Sequence, residues 1–156
     1  MKKLWAGEKT VCPKCQKLEA DIAYRKIFRL AKKSIIYIDD YVNLKTLSMI
    51  FLAKDNVEIT LITDNKAKDH ITAYDVNDFI SQNKTNNLTL LKSNNKIHDR
   101  FIILDFNTKS QKIFSSGSSL KDAGSKVSAM VELKDILLSK EIIDLIEKGK
   151  EYIWDK

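Results

Sequence analysis

Between residues 17 and 95 the apolar positions switch repeatedly between two spacings. Leu18, Ile22, Ala23, Ile27, Leu30 and Ala31 recur every three or four residues and predict a helix over about 17–33, with Lys32 and Lys33 at the end where a helix dipole favours cations. "SIIYID" follows, a short β-rich run with no room for a helix, and predicts a buried strand ending in Asp39-Asp40. "NLKTLSMIFLAK" has amphipathic spacing behind a candidate cap at Asn43, and "VEITLIT" alternates as a strand does. A third helix is predicted on Ala73, Val76, Phe79 and Ile80 of "AYDVNDFISQN", and "LTLLKS" is a third strand between Asn-rich turns. Strands that alternate with helices in this way form a mainly parallel sheet covered by helices.

After Asn95 the rhythm changes. "RFIILD", "QKIFSSG" and "SAMVEL" are strand candidates joined by "FNTKS" and "SLKDAGSK", connections too short for a crossover helix, so these strands must run antiparallel or bend. A final amphipathic helix over about 138–151, carrying Leu138, Ile142, Leu145 and Ile146, is expected to pack back on the sheet. The expected fold class is α/β, a mixed β-sheet flanked by helices on both faces.

A chain of 156 residues fits one ordinary domain, and four glycines and one proline leave no linker after about residue 16. The expected division is an N-terminal arm or segment over 1–16 and a domain over 17–156. The arm holds both cysteines, in "VCPKCQ". Cys12 and Cys15 can be incidental, half of a metal site completed by a second copy, or a redox pair; their spacing does not choose among these. No apolar run approaches the length of a membrane span, and "MKKLWAGEKTVCPKC" has a basic start without the apolar core of a secretory signal, so the cytoplasm is the expected compartment. Net charge is +6, from 27 basic and 21 acidic residues. Such an excess attracts polyanions, but lysines this scattered steer a nucleic acid without specifying it.

The residues that carry chemistry are concentrated in "KIHDRFIILDFNTKSQKIFSSGSSLKDAG". His98, Arg100 and Asp105 form H-x-R-x-x-x-x-D, and side chains two apart on an extended chain share a face, so His98 and Arg100 can address one ligand. An imidazole can attack phosphorus or pass a proton near neutral pH, and a guanidinium can grip two phosphoryl oxygens; neither task calls for a metal or a cofactor. Asp105, seven residues after His98, reaches the same side only if the strand bends. Gly117, Ser118 and Ser119 follow on the next strand, where backbone N–H groups and hydroxyls can line an anion pocket, with Lys121 adding positive charge. Asp39, Asp40 and Tyr41 close a strand on what can be the same edge, although capping the next helix or facing solvent is the simpler expectation for the two carboxylates. Paired carboxylates also suggest metal-dependent hydrolysis, for which the chain offers no clear third ligand.

"HDRFIILD" followed by "SSGSSLKDAG" resembles the phospholipase D superfamily signature, H-x-K-x-x-x-x-D with a downstream Gly-Ser, and more closely the single-motif phospholipase D-like domains of bacteria and phages. The resemblance covers residues 98–124 and implies an α/β/α sandwich. It also implies a metal-independent phosphodiesterase, of nuclease type, in which His98 forms a phosphohistidine intermediate and a second histidine protonates the leaving oxygen. One copy of the signature then implies a homodimer in which two His98 side chains meet, since His70, in "KDHITAY", lacks companion residues. By the same resemblance Arg100 grips phosphate, Gly117, Ser118 and Ser119 touch it, Lys121 adds charge, and Asp105 supports the site. Two positions depart from the signature. Arginine stands in place of lysine, and Leu120 stands where the nuclease branch often has asparagine. The alternative is a catalytically silent domain of this fold that binds DNA or RNA or dimerises; a lipid phosphodiesterase finds no membrane-seeking amphipathic segment to support it.

Overall fold

A computed structural model of the chain describes residues 10–12, 17–125, 128–134, 137–149 and 154. The alternating runs fold as strands β1 (Thr10–Cys12), β2 (Ser34–Ile38), β3 (Glu58–Ile62), β4 (Leu88–Leu91), β5 (Arg100–Leu104), β6 (Lys112–Ser116) and β7 (Ser128–Leu133). The helical runs become α1 (Lys17–Phe28), α2 (Leu44–Ile50), α3 (Ala73–Gln82) and α4 (Leu137–Glu147). The sheet has seven strands in the order β1-β7-β6-β5-β2-β3-β4. β2, β3 and β4 are parallel, whereas β5 runs antiparallel to β2, β6 to β5, β7 to β6 and β1 to β7. The sheet is thus mixed, parallel where helices connect the strands and antiparallel where the connections are short. Among the described residues no helix is long and apolar enough to cross a membrane.

Strand alternation divides the core. Ile35, Tyr37, Ile59, Leu61, Ile102, Leu104 and Phe114 face one side with Tyr24, Ile27 and Phe28 of α1, while Ile36, Ile38, Ile62, Ile103 and Ile113 face the other with Ile142 of α4. Each of these aliphatic side chains, fully buried, contributes about 1.5–3 kcal/mol. α1 ends at Phe28, earlier than the spacing predicts, and presents a different stripe: Leu18 is 73% exposed, and Ile22 and Leu30 are also exposed. Tyr24 and Phe28 go inward instead, their tilted rings 6.4 Å apart, with Phe28 edge-on to Tyr37 at 6.3 Å. Two aromatic rings four residues apart remove more apolar surface from water than the leucines they displace. Likewise α3 buries Val76 and Phe79 but leaves Ile80 exposed.

Asn43 caps α2 as expected: its side chain accepts from the Thr46 N–H, the Thr46 hydroxyl accepts from the Asn43 N–H, and Asn43 Nδ2 donates to Asp69 at 2.7 Å. Asn43→Ala is expected to cost about 1–2 kcal/mol, read as a lower urea midpoint at unchanged slope. The turns draw on asparagine where glycine is scarce. Asn56, Asn65, Asn94, Asn95 and Asn107 all have φ between 53° and 61°, the left-handed region that asparagine tolerates better than other side chains.

Candidate active site

Because β2, β3 and β4 are parallel and β5 is not, the C-terminal ends of the parallel strands, the start of β5 and the end of β6 lie along one edge of the sheet. This is the edge where open α/β sheets place ligands. Tyr37 and Asp39 share the α1 side of β2 by alternation, and Arg100 shares it on β5 with Ile102 and Leu104. Ser116 pairs with Arg100 in the β5–β6 register.

Asp39 is 1% exposed, so its carboxylate must find donors within the protein. Oδ2 accepts from the Tyr37 hydroxyl at 2.9 Å and from Ser119 Oγ at 2.5 Å, and Oδ1 accepts from the Tyr41 N–H at 2.9 Å. Arg100 Nε lies 3.4 Å from Oδ1, an ion pair, yet Nε is buried and makes no hydrogen bond among the described residues. The guanidinium also lies 5.9 Å from the centre of the Tyr41 ring, within cation–π range. Burial raises the Asp39 carboxyl above the ordinary carboxylate range, against the pull of Ser119, Tyr41, Tyr37 and Arg100. Burial first, and then the Asp39 charge, keeps the Tyr37 hydroxyl protonated well beyond the usual range, so it remains a donor.

A second layer supports the first. The Tyr24 and Ser116 hydroxyls are 2.6 Å apart, Ser116 Oγ donates to the Ser118 carbonyl at 2.8 Å, and the Leu120 N–H reaches the Tyr37 hydroxyl at 3.2 Å. α1, β2 and the segment after β6 are thereby tied together behind Arg100.

The residues singled out in the sequence take distinct positions. His98 is exposed and lies two residues before β5, past the last paired residues of the β5–β6 ladder, Arg100↔Ser116. Gly117 is exposed, but its N–H is committed to the Ala129 carbonyl at 3.0 Å. Ser118 is half-buried, and Ser119 is buried with its hydroxyl shared between Asp39 and the Tyr41 carbonyl, 2.7 Å away. Lys121 Nζ pairs with the Asp122 carboxylate at 2.8 Å. His70 is exposed in the loop before α3 and bridges to Asn43.

Asp105 is at the far end of β5, about 16 Å from Arg100 at the usual rise per residue. Its Oδ1 accepts from the N–H groups of Lys33 at 2.7 Å, Lys32 at 2.8 Å and Ser34 at 3.3 Å, which ties the β5–β6 turn to the entry of β2. Burial alone would raise this carboxyl; the three N–H donors outweigh it and hold Asp105 below the ordinary carboxylate range.

Asp39 and Asp40 neither cap α2 nor face solvent, contrary to the simpler expectation. Asn43 holds the cap, and the two carboxylates, on opposite faces, are both buried. Asp40 binds Lys66 Nζ at 2.8 Å, the Ser93 hydroxyl at 2.6 Å and the Asp64 N–H at 2.9 Å, fastening the ends of β2, β3 and β4. Tyr24, Tyr37 and Ser116 were not singled out by sequence, whereas Tyr41 was, with Asp39 and Asp40, as closing a strand at this edge. The available signal was parity: Tyr37 and Asp39 continue the buried face of Ile35.

No family model and no curated protein matches the chain. Solved structures match its fold at low identity. TrmBL2, an archaeal chromatin protein whose structure shows a novel mode of DNA binding, aligns with a TM-score of 0.58 and 18% identity over 96% of this chain. NucT from Helicobacter pylori aligns at 0.60 and 11% identity, covering 94% of this chain and 99% of its own. Polyphosphate kinase from Porphyromonas gingivalis aligns at 0.56 and 17% identity over 89% of this chain. The chain spans 56% of the chromatin protein and 22% of the kinase. The architecture they share with this chain is an α/β fold.

Proposed function

We propose that the domain is a metal-independent phosphodiesterase acting on nucleic acid, working as a homodimer with one active site built from two copies. The observation that carries this reading is Arg100, set on a core strand against a buried counter-ion, with exposed His98 two residues upstream on the same sheet edge. In this reaction an imidazole nitrogen of His98 attacks phosphorus. The leaving P–O bond breaks, and its oxygen takes a proton from His98 of the second copy. Water then attacks the phosphohistidine, gives its proton to that second histidine, and the P–N bond breaks. Arg100 grips the non-bridging oxygens, and Gly117 and Ser118 line the phosphate. Lys121 adds positive charge; Ser119 and Asp105 act through the residues they hold.

The likeness to a DNA-binding chromatin protein and the net charge of +6 support a nucleic acid as the polymer bound. One observation favours a second reading, binding without cleavage: the charge of Arg100 is already opposed by Asp39. Incubation with DNA and RNA in excess EDTA separates the two readings. Cleavage that persists is expected, and cleavage abolished by the chelator overturns the metal-free mechanism. Affinity for an uncleaved oligonucleotide is expected to fall with salt, with a log–log slope of about −0.7 to −0.9 per phosphate contacted. A flat dependence excludes backbone contacts and both readings with them.

A further inference from the structure

We propose that Asp39 makes the Arg100 site selective for singly charged phosphodiesters over doubly charged terminal phosphates. This rests on the phosphate-binding reading of Arg100 and names a determinant within it.

The argument begins with what Asp39 does not take from Arg100. Its oxygens are satisfied by the Tyr37 hydroxyl, the Ser119 hydroxyl and the Tyr41 N–H, all neutral, while Arg100 Nε sits 3.4 Å away without hydrogen-bond geometry. Asp39 therefore supplies Arg100 with a negative charge at close range and leaves the guanidinium fork for a ligand. The carboxylate has no exposed surface and the arginine side chain is 26% exposed, so the anion behind the cation is fixed and dry. A charge in that position is poorly screened.

Arg100 and Asp39 together carry no net charge. A phosphodiester brings one negative charge to them, whereas a terminal phosphate brings about 1.5 to 2 at pH 7. The second charge adds to the repulsion from Asp39 and has only Arg100 to offset it among these groups, since Lys121 is already paired with Asp122 and Lys66 with Asp40. The groups facing Asp39 are Tyr24 from α1, Tyr37 and Tyr41 flanking it on its own segment, Arg100 from β5 and Ser119 after β6. Only Arg100 among them carries charge at neutral pH, since burial holds the Tyr24 and Tyr37 hydroxyls protonated.

The test measures binding of methyl phosphate and dimethyl phosphate by NMR titration of the full chain between pH 5 and 8. A His98→Gln background prevents turnover. Methyl phosphate gains its second charge near pH 6; dimethyl phosphate stays singly charged. With Asp39 present, affinity for methyl phosphate relative to dimethyl phosphate is expected to fall about tenfold across this range. In Asp39→Asn that fall should disappear. A ratio that stays flat or rises with pH in the Asp39-bearing protein overturns the inference, and this arm decides the matter even where Asp39→Asn fails to fold. Arg100→Gln tests the underlying reading separately: it should lose both ligands, and undiminished binding of either one refutes the phosphate site itself. Loss of both ligands together with a flat ratio refutes the role of Asp39 alone.

Discussion

His98→Ala is expected to lower the rate of phosphodiester cleavage by about 10³-fold or more, at unchanged thermal stability. The size follows from the role, since removing the attacking group removes the covalent route and leaves only what phosphate positioning contributes. The unchanged stability follows from place: His98 is exposed, and truncation of an exposed side chain outside a cap or core shifts stability by no more than about 0.5 kcal/mol. Chelator should not alter the wild-type rate, and quenching a single turnover in alkaline denaturant, where a P–N bond survives, should trap the phosphoryl group on protein. Mixing wild type with excess His98→Ala adds a sharper measurement. If each site needs His98 from two copies, activity falls as the square of the wild-type fraction once subunits have exchanged. A linear fall would place the whole reaction within one chain, and an undiminished rate in the pure variant would remove His98 from the chemistry.

The burial of Arg100's strand was legible because "RFIILD" is a short apolar β-rich run, and it folds as β5 with Ile102, Ile103 and Leu104 buried. Strand direction was legible too, though not strand order: connection length separated the parallel half from the antiparallel half. The counter-ion of Arg100 was not. Asp39, Asp40 and Asn43 are all plausible caps within five residues, and local rules do not decide which one caps α2 and which turns inward. That choice is made by tertiary partners, Ser119 and Arg100 for one aspartate and Lys66 and Ser93 for the other. Helix α1 shows the same limit. Its apolar residues cover two adjacent stripes, and the sheet selects the one with Tyr24 and Phe28 because their rings meet Tyr37 and Ser116 across the core.

Asp105→Ala is expected to destabilise the fold by about 2–4 kcal/mol at neutral pH, read from the urea midpoint at unchanged slope. Truncation leaves the Lys32, Lys33 and Ser34 N–H groups without their acceptor and places alanine at φ 51°, where aspartate and asparagine fit better. Asp105→Asn keeps an acceptor oxygen and tolerates that backbone, so it should recover most of the loss. The variants also differ in acid. The folded carboxyl of Asp105 lies below its ordinary value, so its contribution is complete above the unfolded range near pH 4 and is lost as pH falls through the folded value. Wild type should therefore lose stability more steeply below about pH 4 than Asp105→Asn, whose amide does not titrate. Equal acid slopes in the two proteins would show that the three N–H bonds do not favour the ionised carboxylate. Because Arg100 lies at the other end of the strand, about 16 Å away, Asp105→Asn should leave the affinity of the site for dimethyl phosphate within about twofold. A carboxylate that instead took part in the reaction would show itself as a loss of rate in the folded amide variant.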